Sequence, residues 1–216
     1  MRAKPARPLC GAAESAPCWR VRGERRFSQA IAEGDGISVI VDVADAEAAR
    51  AAASQGAEAI VVHSAVGDLK AVTELPVLWR AAGSPSEAAV AGADAWIVAV
   101  EDAREDRDWL VRQHAEAIEL GLDCVVEVRS EEELALALEG LDPEIFLLSV
   151  GREGDADALD RALDLLPDIP AGKLAVADVP VSNREQVIEL ERAGVDAVIV
   201  GARNVAELVG VVPPPV

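Results

Sequence analysis

Short apolar runs punctuate the chain at nearly regular intervals: ISVIVDV, EAIVVHS, PVLWR, DAWIVAV, DCVVEV, EIFLLSV, KLAVAD and DAVIVG. Within each run the apolar residues are mostly continuous, with little polar alternation. Strands of a parallel sheet, covered on both faces, carry that signature. Amphipathic stretches separate the runs: DAEAARAAASQG, GDLKAVTE, SPSEAAVAG, EDRDWLVRQHAEAIELG, SEEELALALEG, DADALDRALDLL, SNREQVIELERAG and NVAELVG. Eight strands, each followed by a helix, predict a single closed (β/α)8 TIM barrel of the α/β class. An open doubly wound sheet needs fewer strands, and GDG at 34–36 precedes the first strand where a dinucleotide fingerprint would follow it.

Boundary signals agree with this register. Ser84–Glu87, Ser130–Glu133 and Ser182–Glu185 each form an S-x-x-E capping box at a helix start, and Pro85 stands in a first turn. The phrases QGAEAIVV, AGADAWIV and AGVDAVIVG repeat one order: helix end, glycine, acidic residue, apolar strand. Residues 1–26 are basic, rich in Pro, Ala and Gly, and aperiodic, which predicts a mobile arm. The barrel is expected over 27–210, and 211–216 form a tail.

Composition restricts the core. With no tyrosine, two phenylalanines and four tryptophans, it must be built from Val, Ile, Leu and Ala, with Trp79, Trp96 and Trp109 filling gaps between strands and helices. The formal charge of −19 argues against nucleic-acid and anionic-membrane partners. Neither a spanning segment nor the apolar region of a signal peptide is visible, so the expected location is cytoplasmic. Three cysteines at unrelated spacings and two distant histidines, His63 and His114, make no metal site, and no cofactor is expected. Cys124 reads as packing in an apolar strand.

Candidate chemistry belongs at the C-terminal strand ends, where barrels of this class carry their sites. Those ends are Asp42, His63 with Ser64, Arg80, Glu101, Glu127 with Arg129, Ser149 with Arg152, Asp178, and Gly201 with Ala202. Any one polar residue there is as readily a solvated end as a functional group. Convergence of both signs of charge on one mouth is the stronger signal. Lysine is scarce: the twenty Lys and Arg residues include only Lys4, Lys70 and Lys173. Lys70 falls in a helix and Lys173 at a strand start, the wrong end for mouth chemistry.

The stretch LGLDCVVEVRSEEELALAL resembles the fifth βα unit of the indole-3-glycerol-phosphate synthase family, in which a V-E-V-H strand end precedes an acidic helix start. RRFSQAIAEGDGISVIVDV is similar to that family's entry into its first strand. LKAVTELPVLWRAAGSPSEAAVAGADAWIV is similar to its second helix through fourth strand, and KLAVADVPVSNREQVIELERAGVDAVIVGARNV to its last two units. The likeness runs from about Phe27 to Val205.

The resemblance implies a ribulose-phosphate-binding barrel whose reaction closes an indole ring from a carboxyphenylamino-deoxyribulose phosphate, losing carbon dioxide and water. It implies a role in tryptophan biosynthesis, an acid–base role for Glu127, and a small phosphate ester as partner. Several positions depart from the pattern. The family's first strand ends E-x-K; here it is Asp42-Val43-Ala44. Its third ends K-D-F, with lysine as general acid; here it is Arg80-Ala81-Ala82. Arginine keeps the charge but is a poor acid near neutrality. The sixth, N-x-R-D, is Val150-Gly151-Arg152-Glu153, and the seventh, S-E-S-G, is Ala177-Asp178-Val179-Pro180. Pro180 lacks a backbone N–H where the family's glycine meets phosphate. Gly201 and Ala202 keep half of a phosphate site, with Arg152 and His63 as further binding candidates.

Three readings follow. In the first, the chain is a divergent family barrel that binds a sugar-phosphate-type molecule, with Glu127, Arg80, Asp42 and Asp178 as its catalytic candidates and lyase activity reduced, altered or lost. In the second, it is a non-catalytic barrel acting as a binding or assembly partner, with Arg80 and Glu127 as a buried ion pair. In the third, it is another sugar-phosphate enzyme using Asp42, His63 and Asp178 as its acid–base set.

Overall fold

The computed structural model describes residues 26–34, 36–65, 69–103, 106–151, 157–203 and 205–209. Its strands are β1 (Ser38–Asp42), β2 (Ala59–Val62), β3 (Val77–Trp79), β4 (Ala95–Ala99), β5 (Asp123–Val128), β6 (Ile145–Leu148), β7 (Leu174–Ala177) and β8 (Ala197–Gly201). All pair in parallel with their sequence neighbours, and β1 pairs with β8 to close the barrel. Helix α1 (Arg26–Ala32) precedes β1. The strands are then followed in turn by α2 (Ala46–Ser54), α3 (Leu69–Val72), α4 (Pro85–Val90), α5 (Arg107–Glu119), α6 (Glu131–Gly140), α7 (Ala158–Leu165), α8 (Arg184–Ala193) and α9 (Val205–Val209). The (β/α)8 expectation holds. The expected arm, apart from the first residue of α1, and the tail lie outside the described residues.

Alternation along the strands splits the core in two. Ile40, Val61, Leu78, Ile97, Val125, Leu147, Val176 and Ile199 pack together inside the barrel. Their strand neighbours, such as Val41, Val62, Trp79, Val98 and Val126, face the helices in a second cluster. Side chains of a strand point alternately to its two faces, so a run apolar at every position supplies both layers at once. Trp79 and Trp96 are buried in the outer layer, and Trp109 packs half-buried against it, as expected of gap-fillers. The interior layer has Phe27 as its one aromatic among the described residues: α1 inserts Phe27 and Ile31 into the N-terminal end as a plug.

The repeated phrase has a structural reason. Gly56, Gly92 and Gly194 end α2, α4 and α8 at φ values of 89°, 84° and 99°, a left-handed turn that glycine adopts without a Cβ penalty. The acid two residues later then clamps the preceding strand by two bonds. Glu58, Asp94 and Asp196 each donate a backbone N–H to the carbonyl of Val39, Val77 and Ala175. Each carboxylate in turn accepts that same residue's N–H, at 3.1, 3.0 and 2.7 Å. The phrase recurs as Gly121-Leu122-Asp123, where buried Asp123 instead accepts the Ser28 N–H in the first turn of α1, at 2.7 Å. The carboxylate therefore caps the plug.

Two capping expectations need correction. Ser84–Glu87 is a complete box. At α6, Ser130 accepts the Glu133 N–H, but the Glu133 carboxylate accepts the Arg129 N–H, one residue before the cap. At α8 the cap is Asn183, whose side chain accepts the Gln186 N–H, and not Ser182, whose own N–H donates to the Gln186 side chain. An Asn one residue further on competes with Ser for the same role, and spacing alone does not rank them.

Candidate functional site

Because the strands alternate, the next inward-facing position beyond the interior layer falls at the C-terminal end of each strand. Asp42 follows Ile40, His63 follows Val61, Arg80 follows Leu78, and Glu127 follows Val125. Ser149 follows Leu147, Asp178 follows Val176, and Gly201 follows Ile199. One inward step on a closed barrel thus gathers these seven of the predicted candidates into a ring.

Arg80 is the hub of this ring. Its guanidinium reaches Asp178 at 2.5 Å, Ser149 Oγ at 3.2 Å and Glu127 at 3.5 Å. Ser149 Oγ also donates to Asp178 at 3.3 Å. The expected Arg80–Glu127 pair is therefore secondary: Arg80 is bound first to Asp178, while Glu127 is held more closely by Arg129, at 3.0 and 3.3 Å. Arg129 also pairs with Glu101 from the 3-10 turn after β4. Burial works to lower the Arg80 pKa, but the pull of Asp178, Glu127 and Asp42 outweighs it and holds the guanidinium charged. For Glu127, burial dominates and raises the carboxyl above its ordinary value despite Arg80 and a hydrogen bond from Ser149. A buried carboxyl only partly paired holds its proton to higher pH than an exposed one.

At the other side of the ring, His63 Nε2 lies 2.9 Å from Asp42 Oδ2, both side chains about half-exposed. A cleft of about 800 Å³ opens between the ends of β1, β3, β7 and β8, with Asp42, Arg80, Asp178, Pro180 and Gly201 in its wall. Ser182 and Gln186, which sequence reasoning did not select, line it too. They sit beside the Asn183 cap, and a cap residue carries no sequence mark that separates it from a binding residue. The space over Gly201 is open: a Cβ built there meets nothing within 4 Å. Ala202 is exposed beside it. Arg152 lies outside the described residues.

Lys173 stands before β7 at the opposite end and pairs with Asp142. Lys70 is in α3, and its side chain lies outside the described residues. At that same opposite end, half-buried His114 lines a smaller groove with Asp142 and Lys173, and burial lowers its pKa against the pull of Asp142. Cys124 is buried, with its thiol pushed up to about 12 by burial and by Asp123, which keeps it protonated and unreactive. Among the described residues no group of His, Cys, Asp and Glu is arranged to hold a metal ion, and no helix is long and apolar enough to cross a membrane.

Similarity to known proteins converges on one family. The family model of indole-3-glycerol phosphate synthase matches residues 85–207. The indole-3-glycerol phosphate synthase of Chlorobium limicola is 34% identical over 117 residues, covering 53% of this chain and 44% of that protein. That of Salinibacter ruber is 36% identical over 120 residues, covering 53% and 42%. That of Variovorax paradoxus is 34% identical over 138 residues, covering 61% and 50%. The matched region thus spans about half the length of these curated relatives. Among solved structures, the N-acetylmannosamine-6-phosphate 2-epimerase from Clostridium perfringens superposes with a TM-score of 0.61 at 14% identity, covering 79% of this chain and 87% of that one. It shares the barrel fold. With a family match across more than half of its length, and the fifth-strand glutamate in place in a closed barrel, this chain belongs to the indole-3-glycerol phosphate synthase family.

Proposed function

We propose that the mouth of this barrel binds a small sugar-phosphate-type ester, and that the family's decarboxylating ring closure is reduced or lost. The observation that carries this reading is the cleft itself: an 800 Å³ opening at the catalytic end of the fold, with open space above Gly201 and a fixed guanidinium in its wall. A phosphate approaching β8 finds room that any side chain would fill. On the reaction side, the family's third-strand general acid is replaced by Arg80, which stays charged and holds Asp178, Ser149 and Glu127. A guanidinium so engaged polarises a carbonyl but does not protonate it. Glu127 keeps a raised pKa and supplies one proton-handling group. The usual pair of acid and base is incomplete.

The test combines thermal melting with a ring-closure assay. Ribulose-type phosphate esters are expected to raise the melting temperature, whereas the free sugars are not. Gly201→Ala is expected to leave the unliganded melting point within about 2 °C, since neither its backbone conformation nor its surroundings oppose a methyl group, and to weaken the ligand-induced shift. Robust turnover of the carboxyphenylamino-deoxyribulose phosphate, lost in Glu127→Gln, would contradict the reduced-catalysis reading.

The second reading, a non-catalytic binding or assembly partner, is favoured by the saturation of Arg80, whose charge is answered within the chain by Asp178 and Glu127. No ligand-induced shift across a broad panel of phosphate esters would select it.

A further inference from the structure

We propose that His63, held by Asp42, is a general base at the barrel mouth, acting on the hydrogen beside the carbonyl of a phosphorylated ketose. This rests on the sugar-phosphate reading of the cleft and adds a reaction to it. Three observations support it. First, His63 and Asp42 continue the inward-facing sets of β2 and β1, and Asp42 lines the cleft. Second, His63 Nε2 and Asp42 Oδ2 are 2.9 Å apart. An ionised carboxylate only accepts, so the shared hydrogen is the Nε2–H, and the neutral ring keeps its lone pair on Nδ1. The contact therefore sets the tautomer and the orientation of the ring. Third, Arg80 is the register neighbour of His63: Val62 pairs with Trp79, and the Arg80 N–H donates to the Val62 carbonyl. The backbones of the two residues are thus adjacent at the mouth, while the Arg80 guanidinium reaches toward Asp178 and Glu127.

The other mouth groups are engaged differently. Arg80 and Arg129 do not release protons near neutrality. Asp178 accepts from Arg80 and Ser149, and Glu127 from Arg80 and Arg129. Among the described residues, His63 is the one imidazole at this end of the barrel, since His114 lies at the other.

In the step, Nδ1 takes a proton from the carbon next to the carbonyl. The C–H electron pair becomes the C=C bond, and the carbonyl π pair moves to oxygen, giving an enediolate beside Arg80. The imidazolium returns a proton to the same carbon, so no oxidant or reductant is required. In D2O the returned hydrogen is deuterium.

The full chain is incubated in D2O with saturating ribulose 5-phosphate. Deuterium entry next to C2 is followed by proton NMR, and binding is followed by melting on the same samples. The wild-type chain is expected to exchange well above buffer. At saturation His63→Gln is expected to lose about a hundredfold or more, the usual range for a positioned base. Asp42→Asn is expected to lose less, and added imidazole to restore part of the exchange in His63→Ala. A wild-type chain that binds the ester without exchange overturns this inference and leaves the binding reading standing. Exchange lost in Glu127→Gln but kept in His63→Gln assigns the base to Glu127 and overturns it as well. Failure of imidazole to restore any exchange counts against a direct role for His63. Absence of both melting shift and exchange overturns the two readings together.

Discussion

At the scale of single residues, Glu127 shows how environment sets chemistry. It is buried at a strand end with a guanidinium on either side, yet Arg80 lies 3.5 Å away and is drawn first to Asp178. Desolvation therefore prevails, and the carboxyl is raised above its ordinary value. The consequence for stability has a definite sign. The folded protein keeps this proton to higher pH than the unfolded chain, so its favourable contribution is present in acid and is lost as pH rises through the folded-state value. Glu127→Gln removes that loss. Relative to wild type, the variant is expected to gain stability as pH rises above the ordinary carboxylate value of about 4, as read by urea denaturation at a series of pH values. A trend of opposite sign would mean that the two arginines, and not burial, govern this carboxyl.

At the scale of elements, the acid that opens several strands is as structural as the apolar run behind it. Asp94 and Asp196 each exchange two bonds with the strand beside them. Asp94→Ala or Asp196→Ala removes the acceptor of a backbone N–H at a closed sheet edge, which costs about 1–3 kcal/mol. Asparagine, which keeps a carbonyl oxygen, is expected to recover most of that loss, especially at Asp196, where burial already raises the carboxyl's pKa. Denaturant midpoints compare each pair, with exposed Asp108→Ala as a control expected to change by less than about 0.5 kcal/mol. Equal losses for Ala and Asn would remove the hydrogen-bond explanation. Repetition of Gly, acid and apolar run was legible in the sequence; the two-way clamp was not, because its partner lies on another strand.

At the scale of the molecule, a formal charge of −19 surrounds a core built almost wholly from aliphatic side chains. Like charges on one compact body repel, and salt shortens their reach from about 10 Å at 0.1 M to about 3 Å at 1 M. Melting temperature is expected to rise over that interval by similar amounts in sodium and potassium chloride. A flat or falling curve would show that the acidic groups are already answered locally, as Asp142 is by Lys173 and Asp106 by Arg112. The mouth network, partly removed from solvent, is expected to respond less than the surface.

The chain alone determined its strand count, its parallel order, and the set of polar residues at strand ends, because continuous apolar runs separated by capped amphipathic helices have few ways to bury both faces. It also marked the family through the fifth-strand glutamate, and it showed where the chain departs from the family pattern, at Asp42, Arg80 and Pro180. Tertiary structure decided who pairs with whom. Arg80 and Asp178 stand 98 positions apart, and Asp42 and His63 stand 21 apart. Which carboxylate takes the guanidinium depends on differences of about an ångström set by barrel closure. Local pattern reports which face a side chain takes; distance across a closed mouth is a property of the whole cylinder.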